Sequence, residues 1–311
     1  MENKVKINTI ISVKDLRKNF GDIMAVRGIS FDVAEGNLFA FLGENGAGKS
    51  TTISIISTLL KKTSGEVNVA GHAVDSEDEK IRADIGVVFQ DSLLDPLLTV
   101  KENVLVRGSL YGLQKGEILT RLDYLSKEID TVDFINQRYG TLSGGQKRRA
   151  DIVRALINQP KILILDEPTT GLDPATRKKV WNIINKLRAE KGLTIFLTTH
   201  YMEEAAIADQ IVVIRKGEIV ASGTPEDLRL RYSRDRLHLI PKEGSVDIII
   251  QKLAGKVISR DRDRLIVELE NSMAAIPLIT MIKDDIEAFE VIRGNMDDAF
   301  ININSDLGEA K

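Results

Sequence analysis

One stretch, Gly43-Glu44-Asn45-Gly46-Ala47-Gly48-Lys49-Ser50-Thr51, constrains this chain more than any other. It follows an apolar run, Leu38-Phe39-Ala40-Phe41-Leu42, short enough for a strand buried on both faces. After it, residues 52–60 return large apolar side chains at helical spacing. Strand, glycine loop and helix in that order define a phosphate site. The glycines let the backbone curl so that several N–H groups point at one centre, and the new helix adds about half an elementary positive charge. Lys49 is placed to reach the β- and γ-phosphates, and the Ser50 hydroxyl to ligate Mg²⁺.

The 311 residues suffice for one large domain or two unequal ones. A content of 43% hydrophobic and 29% charged residues is that of an ordinary soluble globular protein. The net charge of −3 argues against a general nucleic-acid binder, so no nucleic-acid partner is expected. With no cysteine, disulfides and thiolate metal sites are excluded, which fits a reducing cytosol. Residues 1–10 carry charge without a sustained apolar region and do not read as a signal peptide. The apolar stretch 274–282 falls well short of the ~20 residues that span a bilayer. Any membrane role therefore comes through a partner.

Residues 10–36 alternate short apolar runs with turns, as expected of antiparallel pairing beside a nucleotide core, and the β signal returns at residues 65–71. Residues 85–89 form another buried-strand candidate that ends at Gln90. From about residue 91 to 160 helical periodicity takes over, which predicts a helical insertion between core strands. The apolar runs 161–165 and 193–197, separated by a helical segment at 174–190, imply a parallel α/β sheet. Residues 229–236, with four arginines, read as a solvated connector. Beyond them the order strand, helix, strand, strand, helix, strand suggests a small ferredoxin-like unit, followed by a last helix over about residues 296–303.

Leu165-Asp166-Glu167-Pro168 closes one of the apolar runs. A carboxylate at the C-terminal end of a buried parallel strand, beside the phosphate loop, is where Mg²⁺ needs a protein oxygen, and Asp166 takes that role. Glu167, one residue on, is directed towards the γ-phosphate and can polarise the attacking water. Adjacent acids on an otherwise apolar strand are costly without a partner. Leu142-Ser143-Gly144-Gly145-Gln146 opens a second helix whose N-terminus is ready to meet phosphate. Two such ends serve one nucleotide only from opposite sides, which suggests a nucleotide sandwiched between two copies of the chain.

With these motifs in this order, the chain resembles the ATP-binding subunit of an ABC transporter over about residues 10–228. Residues 43–51 match Walker A, 162–166 Walker B, Gln90 the Q-loop, 142–146 the signature, Gly171-Leu172-Asp173 the D-loop and His200 the switch histidine. The resemblance implies a P-loop NTPase of the ABC fold: an α/β domain at residues 1–228 with a parallel core sheet, a flanking antiparallel β subdomain and the helical insertion. A ferredoxin-like α+β domain is expected at 232–311. It also implies a head-to-tail homodimer that holds two ATP molecules, each between Walker A of one subunit and the signature of the other. In that scheme Glu167 is the general base, His200 contacts the γ-phosphate and Gln90 contacts Mg²⁺ and the attacking water. Lys49 completes the catalytic set, and Asp173 communicates between the two sites. Phe20 stands where the family usually places a tyrosine that stacks on adenine; stacking survives that change, a hydroxyl hydrogen bond does not. His72 and His238 are expected to have no chemical role.

The tail resembles that of the drug- and antibiotic-resistance exporters, whose permease is a separate membrane chain. The implied function is ATP-powered export through that permease, from the cytoplasmic face of the membrane. The competing reading is a soluble ABC ATPase of the iron–sulfur-assembly or regulatory type, which the tail disfavours. A permease helix is expected to dock after Gln90, near Leu97 and Leu98.

Overall fold

The computed structural model describes residues 8–254, 256–261 and 264–305; residues 1–7, part of the stretch read above as lacking a signal peptide, lie outside them. The chain divides into two compact units between Ser222 and Gly223. Among the described residues, no helix is long and apolar enough to cross a membrane.

In the first unit, β1 (Thr9–Phe20) and β2 (Ile23–Ala34) pair antiparallel and lead into β3 (Leu38–Leu42), which is buried throughout. The phosphate loop connects β3 to α1 (Lys49–Ile56). There follow β4 (Ser64–Val69), β5 (His72–Ala73), α2 (Asp78–Asp84) and β6 (Ile85–Val88). The helical insertion holds α3 (Val100–Leu110), α4 (Lys115–Glu128) and α5 (Gly144–Leu156). The chain returns through β7 (Ile162–Asp166), α6 (Pro174–Lys191), β8 (Thr194–Thr199), α7 (Met202–Ala205), β9 (Gln210–Arg215) and β10 (Glu218–Gly223).

These strands form two sheets: β2-β1-β4-β5, and β10-β9-β3-β8-β7-β6. In the second, β6 to β7, β7 to β8, β8 to β3 and β3 to β9 are all parallel. Leu-Phe-Ala-Phe-Leu, Ile-Leu-Ile-Leu-Asp and Thr-Ile-Phe-Leu-Thr-Thr are buried at every position, as strands covered on both faces require. Phe31 of β2 meets Phe39 and Phe41 of β3 and Phe196 of β8, with ring centroids 5.3, 5.4 and 6.1 Å away. The antiparallel sheet thus shares one apolar core with the parallel sheet. Because all the parallel strands point one way, their C-terminal ends bring the phosphate loop, Glu167 and His200 to one edge.

The second unit begins with α8 (Pro225–Tyr232), capped by Thr224 with Asp227. It continues with β11 (Asp235–Pro241), α9 (Val246–Lys252), β12 (Val257–Asp261), β13 (Arg264–Leu269), α10 (Ala275–Ile282), β14 (Ile286–Ile292) and α11 (Met296–Ser305). The sheet order β12-β13-β11-β14, antiparallel throughout, is the ferredoxin-like arrangement. Leu237, Leu239, Leu265, Val267 and Leu269 alternate inward and pack on Ile249, Leu278 and Ile282.

The solvated connector expected at residues 229–236 is not there. The segment finishes a helix and starts a strand, and two of its arginines are hydrogen-bonded to carboxylates: Arg229 donates to Glu226 at 2.7 Å and Arg236 to Asp298 at 3.0 Å. The division between units accordingly lies upstream of residue 228, and α8 belongs with the second unit, where it packs on α11.

Candidate nucleotide site

The phosphate loop curls through residues that only glycine adopts readily: Gly46 has φ 80° and Gly48 φ 111°. Lys49 is buried, and its ammonium donates to the carbonyls of Gly43 at 2.7 Å and Glu44 at 3.2 Å. Burial pulls its pKa below the usual lysine value, opposed by the charges of Glu167, Asp166 and Glu44. Ser50, next along, is exposed.

Asp166 ends β7, and one of its oxygens accepts from the Thr198 hydroxyl on the neighbouring β8. Burial pushes its carboxyl above the ordinary range, a shift that the Thr198 bond, Lys49 and Arg148 oppose and the Glu167 charge reinforces. Glu167 has φ 46°, a left-handed backbone uncommon for a residue with a side chain. Its N–H donates to the Thr198 carbonyl at 3.0 Å, while its carboxylate lies 3.3 Å from His200 Nδ1 and accepts from the Thr170 hydroxyl at 3.2 Å. A carboxylate so placed, beside an imidazole and with little exposure, can accept a proton from a water held at a phosphate.

Four of the residues singled out from sequence, Lys49, Asp166, Glu167 and His200, therefore come together. The rest stand differently. Gln90 is exposed just beyond Phe89. Phe20 is 47% exposed at the end of β1, with the Lys18 ammonium 4.9 Å from its ring centre, so a face is available for stacking. Ser143 caps α5 in a capping box: its hydroxyl accepts from the Gln146 N–H at 3.4 Å and its own N–H donates to the Gln146 side chain at 2.9 Å. Gly144 is exposed at that helix end, whereas a Cβ on Gly145 would lie 2.4 Å from Thr176 Cγ2. Asp173 caps α6, accepting from the Thr176 N–H at 3.0 Å, and this hydrogen bonding from Thr176 holds its carboxyl below the usual range.

Sequence reasoning missed the side chains beneath the site. Arg148 is buried and donates to the carbonyls of Phe89 at 2.7 Å and Glu167 at 2.8 Å. Burial lowers its pKa, opposed by Asp151, Tyr139, Asp166 and Glu204. Asp151, one turn on, accepts from Ser92 at 2.6 Å and Tyr139 at 3.2 Å; burial pushes its carboxyl up and the Tyr139 phenol up to about 12. Glu204 of α7 accepts from the Thr169 hydroxyl and, at 3.0 Å, from the Trp181 indole, anchoring the segment that follows Glu167. The sequence carried no clear signal of this burial: Lys147, Asp151 and Arg154 recur at i, i+4 and i+7 and read as a polar face, yet Asp151 and Arg154 are buried with Arg148.

Residues 26–170 match the model of the ABC transporter family. The chain is 34% identical to a daunorubicin resistance ATP-binding protein of Streptomyces coeruleorubidus, over 96% of its own length and 97% of that protein's. It is 37% identical to a linearmycin resistance ATP-binding protein of Bacillus subtilis, over 84% of this chain and 83% of that one. A Nod factor export ATP-binding protein of a Rhizobium species is 42% identical, over 70% and 72%. Among solved structures, a Clostridium perfringens component of an ABC transporter complex superposes with TM-score 0.66 at 32% identity, covering 71% of this chain and 90% of that one. An ATP-binding cassette solved as a dimer in a post-hydrolysis state with ADP and Pi gives TM-score 0.61 at 32% identity, covering 69% and 98%. The fold and the site define a P-loop ATPase. More narrowly, the chain belongs to the ATP-binding subunits of the ABC transporter family.

Proposed function

We propose that two copies of this chain close head to tail on two ATP molecules, and that hydrolysis drives export through a separately encoded membrane permease. The observation that carries the hydrolytic reading is the Glu167 carboxylate 3.3 Å from His200 Nδ1, at the strand edge that also holds the buried Lys49. Glu167 takes the proton of the attacking water, and His200 and Lys49 bear on the γ-phosphate. Gln90 meets the water and the metal, Phe20 stacks on adenine, and residues 43–51 cradle the phosphates. Ser143, Gly144, Gly145 and Gln146 of the other copy close the site, with Asp173 between the two sites. Mg²⁺ suits the donor set: the Ser50 hydroxyl, the Gln90 amide and Asp166, whose second oxygen is left beside the Thr198 bond, are hard oxygen ligands of the kind that Mg²⁺ shares with phosphates and water. The ion would neutralise phosphate charge there.

Export is favoured over a non-transport role by the resistance and export proteins to which the chain is similar along most of its length. The subunit then works on the inner face of the membrane, held by its permease. A cavity of about 610 Å³ between the parallel core and the helical insertion offers the docking surface, lined by Leu59, Leu93, Leu110 and Tyr111 among others. Leu93 is 65% exposed there, and Leu97 nearby in sequence 74%, whereas Leu98 is half-buried. Leu93→Glu should abolish co-purification of the permease while ATP affinity stays within about twofold, since it replaces the exposed apolar contact of Leu93 with a charge whose desolvation on docking costs roughly 1–3 kcal/mol or more, even with Arg82 and Arg107 on the same cavity wall. Permease recovered at the wild-type level would remove this groove from the docking surface.

A further inference from the structure

One guanidinium joins two parts of the hydrolytic site that the sequence keeps far apart. Arg148 lies in the second turn of α5, the helix whose N-terminus carries Ser143 and Gly144. Its two terminal nitrogens donate to the carbonyl of Phe89, the residue before Gln90, and to the carbonyl of Glu167. Those carbonyls belong to the segments leaving β6 and β7, which are neighbours in the sheet. The Glu167 backbone, at φ 46°, is in a conformation that costs on the order of 1–3 kcal/mol and persists only where its surroundings fix it. Thr198 holds its N–H and Arg148 holds its C=O. Three residues along the same helix, Asp151 accepts from Ser92, so α5 grips the Gln90 segment at a second point.

We propose that Arg148 is a positioning residue for hydrolysis: it locks Glu167 in the left-handed backbone that aims its carboxylate, and ties that aim to the Gln90 segment and the signature helix. The proposal rests on Glu167 as general base. In it, the base is aligned only while α5 and the segment at Gln90 hold their places, so closure of the signature on nucleotide and activation of water become one event. A lysine cannot substitute, because a single ammonium on a flexible stem does not reproduce the rigid fork that spans two carbonyls.

The test is steady-state ATP hydrolysis by the full chain carrying Arg148→Lys, alone and combined with Glu167→Gln, with thermal melts alongside. Misaligning a catalytic group by about 1 Å can cost up to about 100-fold, so Arg148→Lys should lower kcat by about 10- to 100-fold. KM for ATP should change by less than about twofold, as expected when only transition-state alignment is lost. In the Glu167→Gln background, where no base remains to aim, Arg148→Lys should leave the residual turnover unchanged. The same fold loss in both backgrounds, a loss that falls on KM, or failure of Arg148→Lys to fold would make Arg148 a structural tie and overturn the proposal. Full turnover in Glu167→Gln alone is a different failure: it removes the base assignment, and the proposal with it.

Discussion

Glu167→Gln lowers ATP turnover by about 10²- to 10⁴-fold, the usual cost of removing a general base, and leaves ATP binding intact. The substitution keeps the side-chain volume and the hydrogen-bonding reach towards Thr170 and His200, which lie 3.2 and 3.3 Å from the carboxylate. It also keeps the backbone bonds to Thr198 and Arg148, which do not involve the side chain. What disappears is the proton acceptor. Phosphate release and nucleotide affinity measured on the same preparation separate the two functions. Near-normal turnover would take Glu167 out of the chemistry, and a matching loss of affinity would make it a binding residue.

Gly86→Ala carries a large expected cost to the fold. A Cβ at this position of β6 would lie 2.1 Å from the Ala155 carbonyl oxygen and 3.0 Å from its carbon. Both are backbone atoms of α5 and cannot swing aside as a side-chain tip can. Either the strand or the helix must move, and overpacking of this kind costs about 1–3 kcal/mol or more. At about 2–4 °C per kcal/mol for a domain of this size, Tm should fall by roughly 2–12 °C. Hydrolysis should fall further than stability alone requires, because a displaced α5 carries Arg148 and Arg154 off the carbonyls of Phe89 and Val87. Gly116→Ala in α4 is the matched control: its added methyl meets nothing within 4 Å, so Tm should hold or rise slightly. Equal melts for the two variants would contradict the packing described for Gly86.

The parts of the site legible in the sequence were those written as local patterns. Five-residue apolar runs leading to Gly43, to Asp166 and, through Thr198-Thr199, to His200 announced parallel strands, and parallel strands deliver their C-terminal ends to one edge. The ferredoxin-like order of the second unit was legible for the same reason, since period-2 strands such as β13 alternate clearly with helices. What stayed hidden depends on partners far away in the chain. Arg148 sits in Lys147-Arg148-Arg149, which reads as a solvent face, and its acceptors lie 59 and 19 residues away. Arg236 looked like part of a connector because Asp298, which pairs with it, becomes a neighbour only on folding. Nothing in the letters around Glu167 signals a positive φ; that comes from Thr198 and Arg148 closing on its two peptide groups. Ser143 and Gln146 were read only as phosphate contacts, although Ser-x-x-Gln is also a capping pair and serves as one here.

The central claim is that the complete ATP site is made by two chains. Sedimentation of Glu167→Gln, with and without ATP and Mg²⁺, together with a count of the nucleotide retained, tests it directly. On that claim the Ser143 and Gly144 helix end of a second copy meets the phosphates at Lys49. ATP should therefore convert the variant to a species of twice the chain's mass that retains one ATP per chain. A variant that keeps its ATP while sedimenting as a single chain at every concentration would contradict it.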